Sequence, residues 1–77
     1  MKTLWDMPRG QTAEIAAITQ TLPKQIQQRL FEMGFEPGRA LTCVQRGPFS
    51  GPVVVTVADC VYSLEQAIAT EIHIRSI

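Results

Sequence analysis

Charged and aromatic residues are scarce in this sequence, and their scarcity limits what the chain can bind. Only 18% of the 77 residues are charged, and the aromatic residues are three Phe, one Tyr and one Trp. Seven Lys and Arg balance seven Asp and Glu, so the formal net charge is zero. Nucleic-acid binding needs a basic surface, and single strands also need aromatic platforms. We therefore expect no binding of nucleic acid and no long-range attraction to acidic lipid.

Catalytic residues in a recognisable arrangement are also lacking. The sequence has one histidine, no P-loop and no pair of acidic residues on an identifiable scaffold. The segment GPFSGP, residues 47–52, lacks the Lys and the following helix of a phosphate-binding loop. These absences argue against an enzyme, and we expect no catalytic residues and no cofactor.

Cysteine and histidine are too few and too scattered to favour a metal site. The two cysteines form no C-x-x-C pair and stand among apolar residues, as reduced core cysteines do. Cys43, Cys60 and His73 are weak candidates for metal ligands, because a tight site needs three or four converging ligands. His73 stands between two isoleucines of an alternating segment, which predicts a solvent-facing side chain. We expect no bound metal.

Long apolar runs are absent as well. The N-terminal segment MKTLWDMPRGQ has neither the apolar core of a signal peptide nor the length of a membrane span. We therefore expect a cytoplasmic protein that does not insert directly into a membrane.

The residues that are present predict a mainly β domain. A hydrophobic content of 45% is sufficient for one core, and we assign residues 1–77 to a single domain. Alternation and β-branched runs predict about five short strands, at Thr12–Ile18, Ala40–Arg46, 53–58, 61–63 and 72–74. The first of these should place Ala13, Ile15 and Ala17 on one side. A sheet of so few strands leaves no unpaired edge strand if it closes on itself. The pattern therefore favours a small SH3-like β-barrel with a helical insertion.

Two helices complete the prediction. Apolar residues spaced four, four and three apart predict a helix over residues 22–33, with Thr21 as its cap. Ser63 opens a capping-box pattern that predicts a short helix over residues 64–69. Gly34 falls where a left-handed residue ends the longer helix, and Gly38 falls at the third position of a type II turn. Both glycines should therefore have positive φ.

Four segments taken together resemble the FeoA family of small cytosolic proteins of bacterial ferrous iron uptake. They are LWDMPRGQTAEIAAI, RLFEMGFEPG, GPFSGPVVV and YSLEQAIATEIHI, in this order along nearly the whole chain. The resemblance implies an SH3-like barrel, in agreement with the strand pattern. It also implies a non-enzymatic accessory role, through contact with the cytosolic GTP-binding region of the ferrous iron permease FeoB.

One aromatic residue of the longer helix needs a neighbour that the apolar stripe does not provide. Phe31 lies about 140° from Ile26 of the stripe at 100° per residue, beside Lys24 and Gln27. Either the lead-in segment, through Trp5 or Met7, covers the ring, or the ring contacts FeoB or a second copy. We take as candidate partner-binding residues Lys24, Gln27, Phe31, Arg46 and Phe49. Alternatively, this surface forms a weak homo-oligomer. The alternative function is that of an SH3-like module that binds nucleic acid or a metal ion.

Overall fold

The computed structural model describes residues 2–46 and 51–77, and in these residues strands predominate over helices. The N-terminal part contains a short strand and a 3₁₀ helix, β1 (Lys2–Thr3) and Leu4–Asp6. Next come β2 (Thr12–Ile18), α1 (Lys24–Glu32) and β3 (Ala40–Arg46). The chain continues with β4 (Val53–Val57), β5 (Cys60–Leu64), α2 (Gln66–Ala69) and β6 (Ile72–Ser76).

All of these strands belong to one antiparallel sheet. The order of the strands is β1-β6-β2-β3-β4-β5. The described ranges therefore contain six strands, whereas the sequence predicted about five, and the additional strand is β1. The predicted mainly β fold with a helical insertion is confirmed. Within residues 2–46 and 51–77 the two end strands, β1 and β5, do not pair with each other. The prediction that the sheet closes into a barrel is therefore wrong, and the sheet has two open edges in this part of the chain.

A β-bulge in β2 changes which side chains face the core. The pairing of β2 with β6 shifts register between Ile15 and Ala17. Ala13 and Ile15 are buried, but Ala17 is exposed and Ile18 is half-buried instead. The prediction that Ala17 shares the buried side is therefore wrong, because the extra residue of a bulge reverses the alternation beyond it.

The core is formed by apolar residues on the inner sides of the strands, in the N-terminal segment and at the C-terminal end of α1. Phe35 and Leu4 are the largest fully buried side chains, and Phe35 packs against Tyr62 with ring centres 5.6 Å apart. Cys43 on β3 is fully buried, as expected of a core cysteine. Cys60 is exposed, so its assignment to the core is wrong. It begins the end strand β5 directly after a turn, where no further strand covers it in the described part of the chain.

The end of α1 agrees with the sequence prediction. The backbone N–H of Phe35 donates to the carbonyl of Leu30 at 2.9 Å, and that of Gly34 donates to Phe31 at 3.0 Å. Gly34 has φ +99°. These two bonds and the left-handed glycine form a Schellman motif. The following turn is closed by a bond of 3.1 Å from the N–H of Arg39 to the carbonyl of residue 36, with Gly38 at φ +92° as expected.

The beginnings of both α-helices differ from prediction. Helix α1 begins at Lys24, and the hydroxyl of Thr21 donates to Oε2 of Glu71 at 3.3 Å instead of capping the helix. Helix α2 begins at Gln66 because Ser63, the predicted cap, is still within β5. Thr21 does not cap α1 because it makes a tertiary hydrogen bond, and Ser63 does not cap α2 because it belongs to a strand.

Candidate functional site

Helix α1 has one side in the core and one side in solvent. Leu30 on the inner side is buried, and Ile26 and Met33 pack against the core beside it. Phe31 on the outer side is 61% exposed. The alternative in which the lead-in segment covers this ring is wrong: Met7 is buried in the core, and the N-terminal segment packs elsewhere.

The candidate partner-binding residues on α1 lie close together but differ in what they contact. Lys24 is exposed at the first position of the helix, one heptad before Phe31 and therefore on the same side. Gln27 is half-buried, and its amide donates to the carbonyls of Leu22 at 2.6 Å and Gln20 at 3.2 Å. Gln27 thus holds the loop that precedes the helix, while Lys24 and Phe31 face solvent.

The other two candidates lie away from this helix. Arg46 on β3 donates through Nη1 to the carbonyls of Trp5 and Met7, the latter at 3.3 Å. Its guanidinium carbon also lies 4.6 Å from the centre of the Trp5 ring. Arg46 therefore fastens the N-terminal segment to the sheet. Phe49 lies outside the described residues.

An apolar groove of about 370 Å³ separates α1 from α2, and its lining was not recognised from the sequence. Exposed Arg29 and Glu65 contribute to opposite walls of the groove. The apolar lining consists of Ile26, Leu30, Met33, Leu64 and Ile68. The stripe that was read only as core therefore also lines an accessible depression. Periodicity shows which side of a helix is apolar, but not whether neighbouring elements cover all of it.

The candidate metal ligands stand on three different strands, β3, β5 and β6. His73 was expected to face solvent, but it is half-buried, and its Nε2 lies 3.1 Å from the hydroxyl of Thr19. Its Nδ1 is buried without a hydrogen-bond partner among the described residues. Throughout residues 2–46 and 51–77, no three His, Cys, Asp or Glu side chains come together in a group that could hold a metal ion.

Strand β5 is a further feature that sequence reasoning did not single out. It carries no charged residue, and Val61 is 66% exposed. Hydrogen bonding to the Cys60 side chain, together with burial, raises the pKa of Tyr62. The available signal was the uncharged run CVYSL, but its importance depends on β5 being the last strand of the sheet.

Comparison with protein families finds one match that covers almost the entire chain. A family model described as the FeoA domain matches residues 2–76. A comparison with curated proteins finds no match. None of the helices in the described ranges is long and apolar enough to cross a membrane.

Solved structures with the same fold include several FeoA proteins. FeoA of Stenotrophomonas maltophilia, complexed with zinc, is 25% identical with a TM-score of 0.85; the alignment covers 97% of this chain and 91% of that one. That protein is described as a prokaryotic SH3-domain protein and a candidate activating factor of ferrous iron transport. The FeoA protein of Chlorobium tepidum is 18% identical with a TM-score of 0.89, over 99% of this chain and 70% of that one. The predicted SH3-like fold is confirmed.

Iron(II) transport protein A of Clostridium thermocellum has the same fold in a longer chain. It is 24% identical with a TM-score of 0.90, and the alignment covers 99% of this chain. The present chain spans only 46% of the length of that relative.

Proposed function

The chain belongs to the FeoA family, which is associated with ferrous iron transport, and on this basis we propose that it is a non-enzymatic accessory protein of ferrous iron uptake. In this proposal it acts in the cytoplasm and binds the cytosolic GTP-binding region of the permease FeoB. The docking face consists of Lys24 and Phe31 on α1, and Gln27 beside them holds the loop that precedes the helix. No reaction step is assigned to the chain, and its effect on transport follows from binding.

The exposed ring of Phe31 is the observation that carries the proposal. A Phe side chain that is 61% exposed leaves a large apolar area in water. Aromatic residues anchor protein interfaces because they bury much area at a small cost in side-chain entropy. Lys24 adds a cation one heptad away, which suits an apolar contact with an acidic border on the partner.

The helix that presents this ring is held rigidly. The Schellman bonds fasten its C-terminal end, and the amide of Gln27 fastens the loop before its N-terminal end. A surface that is already ordered loses little conformational entropy on binding. We therefore assign Gln27 a supporting role and Phe31 the central contact.

The test compares Phe31→Ser with wild type for binding to the cytosolic domain of FeoB, with and without guanine nucleotide. Since the ring touches little of the core, the variant should melt at nearly the same temperature as wild type. Its affinity should fall roughly tenfold or more, as for an interface anchor. Val44→Ser is the matched control, because Val44 on β3 is an exposed apolar residue on another element.

Unchanged binding by Phe31→Ser would place the docking face elsewhere. A large loss of thermal stability with binding intact would show that the ring belongs to the core. Sedimentation of the chain alone tests the other occupant, a second copy: a dimer that Phe31→Ser dissociates would assign the ring to self-association.

A further inference from the structure

The end strand β5 has backbone groups that point away from the sheet. Its hairpin with β4 has a two-residue turn, Ala58 and Asp59, which pairs Val57 with Cys60 through hydrogen bonds. Antiparallel pairing alternates, so the residues of β5 that bond to β4 are Cys60, Tyr62 and Leu64. The N–H and C=O groups of the two residues between them, 61 and 63, are therefore directed outward, and they have no hydrogen-bond partner among the described residues.

This edge lacks the features that usually prevent strand addition. Natural edge strands are shortened, charged, interrupted by proline or bulged. β5 has five uncharged residues, without proline, in unbroken register with β4, and it exposes the β-branched Val61. The opposite edge is protected in the expected way, because β1 has only two residues and one of them is Lys2. Because only the β1 edge is protected in this way, we infer that the β5 edge is available for pairing.

Acidic residues at both ends of β5 favour one kind of occupant. Asp59 precedes the strand and Glu65 follows it; both are exposed, and neither forms an ion pair within residues 2–46 and 51–77. Antiparallel pairing of two copies centred on Tyr62 would place Asp59 of one copy opposite Glu65 of the other. Like charges directly opposite are destabilising. A foreign strand with a basic residue at each end has the complementary charge.

The apolar groove between α1 and α2 adjoins the same strand. Leu64, the last residue of β5, is part of its lining, together with Met33 of α1. Side chains of an added strand alternate between the two faces of the sheet. Those on the face of Leu64 would lie beside this groove and bury apolar area there.

We propose that the edge of β5 binds an extended segment of a partner protein as an additional strand. The segment has apolar or β-branched residues at alternate positions and a Lys or Arg at each end. Main-chain hydrogen bonds to residues 61 and 63 provide the pairing, and Asp59 and Glu65 select for basic ends. This surface is separate from the docking face on α1, and the proposal does not depend on the identity of the α1 partner.

The experiment measures binding of a fluorescein-labelled peptide, Lys-Val-Thr-Val-Thr-Val-Lys, by anisotropy. Ser63→Pro removes one outward N–H and leaves the bonds of β5 to β4 in place, so affinity should fall roughly tenfold. Ser63→Ala keeps the N–H and should bind as wild type. A peptide with Glu at both ends should bind more weakly than the Lys peptide. In wild type, the peptide should slow amide hydrogen exchange at Val61 and Ser63.

A second variant, Val61→Lys, tests the proposal even if the proline variant does not fold. Val61→Lys leaves the backbone unchanged but places a cation near the basic end of the peptide that pairs with Asp59, so binding should weaken, whereas Val61→Thr should not alter it. The proposal is overturned if the Lys peptide does not bind wild type, or if Ser63→Pro and Val61→Lys both fold and bind it normally. It is equally overturned if the chain alone forms a dimer that Ser63→Pro dissociates, because the occupant would then be a second copy.

Discussion

Gly34 connects the end of α1 to the hairpin between β4 and β5. Its φ of +99° is a conformation that residues with a side chain rarely adopt. A Cβ atom added there would lie 3.0 Å from Cβ of Ala58 in the hairpin turn. Gly38 has a similar φ of +92°, but a Cβ there would meet nothing within 4 Å. Substitution of Gly38 by Ala therefore measures the free-energy cost of the left-handed backbone alone, whereas substitution of Gly34 adds the cost of a close contact with Ala58.

We predict that Gly34→Ala destabilises the protein more than Gly38→Ala. The Gly38 variant should lose about 1 kcal/mol, since only the left-handed backbone is strained. The Gly34 variant should lose roughly 2 kcal/mol or more, because the neighbouring turn must also move. Urea unfolding of both variants provides the measurement. Ala58→Gly combined with Gly34→Ala should recover part of the loss, and equal losses in the two single variants would contradict the assigned contact.

The N-terminal segment is an element held by strand pairing, by buried side chains and by Arg46 of the sheet. The backbone N–H and hydroxyl of Thr3 both donate to Oδ2 of Asp6, at 2.9 and 3.0 Å, and lower the pKa of Asp6. These bonds order the 3₁₀ helix internally. The attachment of the N-terminal segment to the rest of the molecule includes Arg46, which donates to the carbonyls of Trp5 and Met7 and stacks on the ring of Trp5.

We predict that Arg46→Met loosens this segment and lowers stability by about 2 kcal/mol, since a charged donor to two carbonyls and a cation–π contact are lost. Trp5 is the one tryptophan of the sequence, so its fluorescence should shift to longer wavelength as water reaches the ring. Arg46→Lys should be intermediate, because it keeps the charge without the planar fork.

Arg75→Met is the matched control for the loss of a cation. Arg75 pairs with Glu14 at 3.1 Å in an exposed position, where an ion pair contributes at most about 1 kcal/mol. An equal loss of stability in the two Met variants, with unchanged fluorescence in the Arg46 variant, would show that Arg46 does not hold the segment.

At the scale of the whole molecule, folding rests on an apolar core. In the part of the chain that the structure describes, the buried residues are all apolar or cysteine. The candidate ligands are divided between a buried strand position at Cys43, an exposed strand end at Cys60 and a half-buried site at His73. A structural metal contributes to folding only when its ligands converge on it.

We predict that the protein folds without a metal ion. The melting temperature in EDTA should equal that in buffer, and equilibrium dialysis with Fe(II) and Zn(II) should show no tight binding. A chelator-dependent fall in melting temperature would contradict this. Cys43→Ala, Cys60→Ala and His73→Ala would then identify the ligands, because only substitution of a ligand should remove the dependence on the chelator.

Features determined by short stretches of chain were predictable. The bounds of β2 and β3 and the ending of α1 match the structure, because alternation and the glycine of a Schellman motif act within a few residues. The positive φ of Gly34 and Gly38 has the same origin. Helical periodicity also separates Phe31 from the apolar stripe, but it left open whether the lead-in segment covers the ring, and only the tertiary structure shows that the ring is exposed.

Features that depend on distant contacts were decided only by the tertiary structure. The bulge that exposes Ala17 arises from pairing with β6, and part of the attachment of the N-terminal segment comes from Arg46, about forty residues further along the chain. The exposure of Cys60 and the open edge at Val61 follow from the place of β5 at the end of the sheet. Sequence pattern determined which residues form strands, but strand order determines which of them remain open to a partner, and strand order is set by the packing of the whole chain.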